Sequence, residues 1–68
     1  MEPLYQYANV ILRRKQVQAR TGLSRTTVYR LMKSGQFPRS IKITDKAVGW
    51  LQSDIDSFIA SKIAASSN

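Results

Sequence analysis

Thr21-Gly22-Leu23-Ser24-Arg25-Thr26-Thr27-Val28-Tyr29-Arg30-Leu31 is the stretch on which the fold turns. Gly22 ends a short helix expected over about residues 14–21, because glycine takes the left-handed conformation at a helix C-terminus without steric cost. Leu23 then points inward. Ser24 suits an N-cap, since its hydroxyl accepts from the free backbone N–H groups of the next turn. A second helix follows from Arg25 to about Ser34. Val28, Leu31 and Met32 stand at i, i+3 and i+4 and form its buried stripe. The opposite face holds Thr26, Tyr29, Arg30 and Lys33, with Arg25 and Thr27 flanking it in the first turn. Gly35 closes this helix, and Pro38 blocks its continuation.

On either side the chain is less strongly patterned. Met1 to Asn9 shows no clear period and reads as a flexible N-terminal arm. Val10-Ile11-Leu12 is a strand or a hydrophobic lead-in to the first helix. Ile41-Lys42-Ile43 and Val48-Gly49-Trp50-Leu51, separated by Thr44-Asp45-Lys46-Ala47, read as a two-stranded hairpin. Ser53 is expected to cap a third helix, with Asp56 as the reciprocal half of a capping box. Ile55, Phe58, Ile59 and Ile63 make that helix's inward stripe. The expected core is Val17, Leu23, Val28, Leu31, Phe37, Ile41, Ile43, Trp50, Ile55, Phe58 and Ile59. Trp50 belongs there beside Phe58, and Gly49 marks a close-packing or bulge position.

The fold class expected is mainly α with a small β-hairpin: a winged helix-turn-helix of three helices and a two-stranded antiparallel wing. It occupies residues 10–64 as one domain, after the arm of residues 1–9 and before residues 65–68, which are expected to fray.

Sixty-eight residues with 43% hydrophobic content suffice for one packed domain and leave no room for a second. The net charge is +7, and ten of the eleven basic residues lie between Arg13 and Lys46, opposed there only by Asp45. Such a field draws a polyanion, whose phosphate contacts release counterions. There is no cysteine or histidine, so disulfides, thiolate chemistry and the usual zinc sites are excluded. The glycines are too far apart for a phosphate-cradling loop, and the serines read as caps. The protein is therefore not expected to be an enzyme, nor to need a cofactor, metal or small-molecule ligand. No apolar run reaches the roughly 20 residues that span a membrane, and the N-terminus lacks a signal-peptide pattern. A cytoplasmic, nucleoid-associated protein without membrane contact is expected.

These features point to double-stranded DNA as the partner. Arg25 and Arg30 have the reach and the planar fork to read guanine edges. Thr26 and Thr27 suit a phosphate or a thymine methyl. Tyr29 can donate its hydroxyl to phosphate or pack its ring on a neighbouring helix, and Lys33 suits the backbone. Lys42 and Lys46, on the hairpin, suit a minor groove or phosphates, although lysine on exposed strands also guards against edge pairing. A homodimer or a cooperative array on DNA would add to the few base contacts one domain offers.

The chain resembles the AlpA family of phage-type regulators, itself similar to MerR-like and excisionase winged-helix domains. Three stretches carry the resemblance: residues 21–32, Gly35-Gln36-Phe37-Pro38, and residues 48–59 from Val48-Gly49-Trp50 to Phe58-Ile59. With the lead-in Leu12-Arg13 they span about residues 11–60. The resemblance implies a helix-turn-helix, a hairpin wing and a closing helix. It also implies a role in transcription of integrase-type genes or in prophage excision, with DNA contacts on Arg25, Thr26, Tyr29 and Arg30. The wing tip departs from the family pattern. Relatives often carry glycine there and an arginine before the Val-Gly-Trp stretch, whereas this chain has Thr44-Asp45-Lys46-Ala47. Asp45 would repel phosphate, and Lys46 lacks arginine's planar fork.

The function expected is thus sequence-specific DNA binding by a phage-type transcriptional regulator. Two other readings stand beside it: an excisionase-like architectural protein that bends DNA, and a basic protein-interaction module that docks on an acidic partner.

Overall fold

In the computed structural model, which describes residues 10–66, the elements run β1 (Ile11–Leu12), α1 (Arg14–Thr21), α2 (Arg25–Lys33), β2 (Ile41–Thr44), β3 (Ala47–Leu51) and α3 (Gln52–Ser66). The expected N-terminal arm, residues 1–9, lies outside the described residues. The architecture is three helices and a small antiparallel sheet.

Among the described residues the sheet has three strands in the order β1-β3-β2, the expected β2–β3 hairpin with β1 added to it. Of the two readings of Val10-Ile11-Leu12, the strand holds for Ile11 and Leu12. They pair with β3 at Leu51 and Trp50. The ladder continues one residue further, where Gln52 N–H donates to the Val10 carbonyl at 2.7 Å. Strand β3 therefore has neighbours on both sides, and Trp50 sits on the central strand with no exposed surface.

Ile41 pairs with Gly49 and Lys42 with Val48, but Thr44 pairs with Ala47. Ile43 is the extra residue of a bulge, and the turn shrinks to Asp45-Lys46. A two-residue type I′ turn needs positive φ at both central positions. Among the described residues only Gly22 and Gly35 have positive φ. The bulge supplies the twist that the turn residues do not. It also takes Ile43 out of the core: the side chain is 42% exposed, contrary to expectation.

Helix α1 starts at an extended Arg13, whose backbone N–H donates to Gln16 Oε1 at 2.8 Å. The Arg13 Nε–H donates to the Val48 carbonyl at 3.1 Å, which ties the helix start to the central strand. Val17 is the one buried residue of α1. Gly22 ends the helix as expected, at φ +74°, where any side chain would be strained. The Thr21 hydroxyl closes the turn, donating to the Val17 carbonyl and accepting from Leu23 N–H.

Helix α2 buries Val28 fully and Leu31 and Met32 in part. Its C-terminus closes as a Schellman motif: Gly35 N–H donates to the Met32 carbonyl and Gln36 N–H to that of Leu31. Helix α3 begins directly after β3, and Ser53 lies in its first turn. Asp54 still stands in the first turn, favourably placed for the helix dipole. Asp56 faces Arg20 of α1 at 3.9 Å; both side chains are exposed, so the pair contributes little.

The core is Leu12, Val17, Val28, Phe37, Trp50 and Ile55, with Leu23, Leu31, Met32, Phe58 and Ile59 packed around it. Leu12 is an addition to the expected set. Phe58 packs against the core that holds Trp50, as expected, and its ring meets Phe37 with centroids 4.7 Å apart. Ile63, expected to face inward, is 63% exposed, because α3 runs on past the end of the core.

Candidate nucleic-acid interface

The geometry of α2 starts at its cap. The Ser24 Oγ accepts from Thr27 N–H at 3.1 Å and donates to Thr27 Oγ1 at 2.9 Å. This bond sets where the helix begins, and so which residues face outward. Ser24→Ala is expected to cost about 1 kcal/mol, read as a melting temperature lower by about 4–8 °C in a domain of this size. Ser24→Asp, which keeps an acceptor, should melt close to the parent. Equal melting of the alanine variant and the parent would mean that the cap contributes nothing.

Arg25, Thr26, Tyr29, Arg30 and Lys33 are all exposed on α2, and the helix contains no acidic residue. Thr27 differs: it is half-buried and its hydroxyl is engaged with Ser24. The Arg25 guanidinium lies over the Tyr29 ring, 5.9 Å from its centroid. At an exposed site such an interaction is worth about 0.5–1 kcal/mol. It sets Arg25 over Tyr29 at the i,i+4 spacing that makes the two neighbours on one helix face.

The same distinction runs through all the cations. Arg13 is bound to the Val48 carbonyl, Arg14 to Gln18 at 3.2 Å, and Arg20 to Asp56. Lys62 lies over the Phe58 ring at 5.3 Å. Lys42, on β2, is 4.0 Å from Asp45, both side chains being largely solvated. The side chains of Lys15, Arg30, Lys33, Arg39 and Lys46 have no partner among the described residues. The Lys46 backbone N–H donates to Thr44 Oγ1, which leaves its ammonium at the turn.

Arg25, Thr26, Tyr29, Arg30 and Lys33 are thus brought together on one helix face. Lys42 and Lys46 stand apart on the hairpin, and Lys42 has an acid beside it. Arg39 was not among the expected DNA-binding residues, though its place directly after Pro38 in a basic stretch was a usable signal. Among the described residues no cluster of three or more potential metal-ligating side chains forms. No helix among them is long and apolar enough to cross a membrane.

A small, strongly basic, mainly helical domain with one acid-free helix face is the general type that these observations define. Residues 10–63 match the family described as Prophage CP4-57 regulatory protein (AlpA). The chain belongs to this family, a regulatory one. It is also 40% identical over 53 residues to an uncharacterized protein, ORF88, of Enterobacteria phage P4. That similarity covers 78% of this chain and 60% of the phage protein, so the chain spans less than two thirds of that relative's length.

Proposed function

We propose that the protein is a phage-type transcriptional regulator that binds duplex DNA sequence-specifically. In this reading it is a winged helix-turn-helix in which α1 and α2 are the helix pair, α2 lies in the major groove, and the β2–β3 hairpin is the wing. The observation that carries the reading is the outward face of α2: a capped helix after a three-residue turn, anchored by Val28, with Arg25, Thr26, Tyr29, Arg30 and Lys33 exposed and no acid among them. Membership of a regulatory phage family supports it.

Arg30 is the principal base reader, because its guanidinium has no competing partner among the described residues and can fork onto guanine. Arg25 is the second, delivered from the Tyr29 ring. Thr26 reaches a phosphate or a thymine methyl. Thr27, held at the cap, positions the helix start against the backbone, while Lys33 meets phosphate at the other end. Lys42 and Lys46 make weaker backbone contacts, since Asp45 sits between them in sequence and beside Lys42 in space.

Selection of bound duplexes from a random pool tests the reading directly: one recurring sequence should emerge. Arg30→Ala should then weaken binding to that sequence by about 1–3 kcal/mol, with a much smaller loss on a scrambled duplex. Equal losses on both would remove Arg30 from base reading. Absence of any enriched sequence would sink specific recognition.

A further inference from the structure

Beside the C-terminal end of α2 the surface folds into a groove of about 570 Å³, lined by Met32, Lys33, Gly35, Phe37, Arg39 and Ser40. Lys33 and Arg39 are exposed, and Ser40 is half-buried. Among the described residues the side chains of Lys33, Arg39 and Ser40 have no hydrogen bond or ion pair. Each phosphodiester carries one negative charge, so two uncommitted cations around one concavity suit two neighbouring phosphates, and the uncommitted hydroxyl adds a hydrogen-bond donor.

The groove is also held in place from within. The Trp50 indole N–H donates to the Pro38 carbonyl at 3.2 Å, directly before Arg39. Phe37 is buried against Phe58. The Schellman closure of α2 positions Gly35 and Gln36. Arg39 therefore leaves a segment fixed to the core on its N-terminal side, and its backbone does not have to be ordered when a ligand arrives. At the hairpin, by contrast, the acid Asp45 stands between Lys42 and Lys46 in sequence and 4.0 Å from Lys42, where it would repel a phosphate.

We infer that Lys33, Arg39 and Ser40 form a DNA-backbone clamp, and that the protein grips phosphate chiefly here and not at the hairpin tip. The inference rests on the proposed DNA binding and extends the Lys33 end of the α2 face by Arg39 and Ser40, beyond the base readers Arg25 and Arg30. Because phosphates are the same at every step, the clamp holds all sequences equally and sets how deeply α2 sits in the groove.

The test measures affinity for the selected duplex and a scrambled duplex across a potassium chloride series, for the parent, Lys33→Ala/Arg39→Gln, Ser40→Ala and Lys42→Ala. Each phosphate that a variant no longer neutralises should lower the slope of log affinity against log salt by about 0.9. The double variant is expected to lose nearly two from that slope and to weaken on both duplexes by the same factor, with the specificity ratio kept. Ser40→Ala should weaken both duplexes several-fold without changing the slope. Lys42→Ala should change the slope less than either cation of the clamp. The substituted cations are exposed, and circular dichroism melts should coincide with the parent. If the parent binds the selected duplex with a salt-dependent slope but the double variant retains that slope, the clamp is wrong and DNA binding stands. If the double variant loses only the selected duplex, Lys33 and Arg39 read bases and the clamp is again wrong. If the parent binds neither duplex, DNA binding itself fails, and the clamp with it.

Discussion

Trp50→Ala is expected to remove most or all of the folding stability. Trp50 is fully buried on the central strand, and it is the largest side chain in the core. Truncating a buried tryptophan to alanine costs about 3–5 kcal/mol, because a large cavity opens in a wall that relaxes only in part. A domain of this length has a total stability on the order of 3–10 kcal/mol. The substitution also strips the half-buried Pro38 carbonyl of the indole donor, a hydrogen bond worth about 0.5–1.5 kcal/mol. Trp50→Phe separates the two contributions: it keeps most of the ring, loses the donor, and should fall between parent and alanine. Trp50 is the sole tryptophan, so unfolding is followed by far-ultraviolet circular dichroism in urea. A Trp50→Ala variant whose midpoint matches the parent would mean that the core does not depend on this ring.

Gly49→Ala should be nearly as damaging, although it adds a single methyl. A Cβ at Gly49 would stand 2.5 Å from Ile11 Cγ2, 2.9 Å from the Leu12 carbonyl oxygen and 3.0 Å from Ile43 Cδ1. Overpacking costs about 1–3 kcal/mol. The upper end applies here, because one of the three obstacles is backbone in the β1–β3 ladder and cannot rotate away. The melting temperature should fall by about 4–8 °C for each kcal/mol lost. The partially exposed Ile11 provides an internal check. Combining Gly49→Ala with Ile11→Ala removes the nearest obstacle and should recover part of the loss, so the two changes should be non-additive. A Gly49→Ala protein as stable as the parent would show that the strands can separate at no cost.

Legibility in the sequence followed the range of the forces involved. The bounds of α1 and α2, the Ser24 cap and the Gly22 turn were all readable, because each depends on atoms within about one helical turn. The outward face of α2 was readable for the same reason: helical periodicity places Val28 on one side and Arg30 on the other wherever the helix packs. Leu12 was not readable as core, because its burial depends on pairing with Trp50 far along the chain. Ile43 looks inward by simple alternation, and a bulge two residues from the turn shifts it out. Ile63 continues the stripe of α3, but the helix outlasts the core it packs on. Asp56 reads only as a capping partner from its neighbours in sequence, and its exposed pairing with Arg20 at 3.9 Å across space was not readable there.

The candidate site divides in the same way. By itself the sequence determined that one helix face would be basic and acid-free, that the charge would be concentrated between Arg13 and Lys46, and that the helix would be capped at Ser24. Tertiary structure alone decided which of those charges remain available. It ties Arg13 to the central strand, brings Arg20 to Asp56 of another helix and leaves Lys33 and Arg39 free around one groove. The contacts of Arg25 with Tyr29 and of Lys42 with Asp45, by contrast, are local, at i,i+4 and i,i+3. Periodicity is a property of the local backbone, whereas the partners of a long, flexible cation are chosen by whichever acceptors the completed fold brings within its reach.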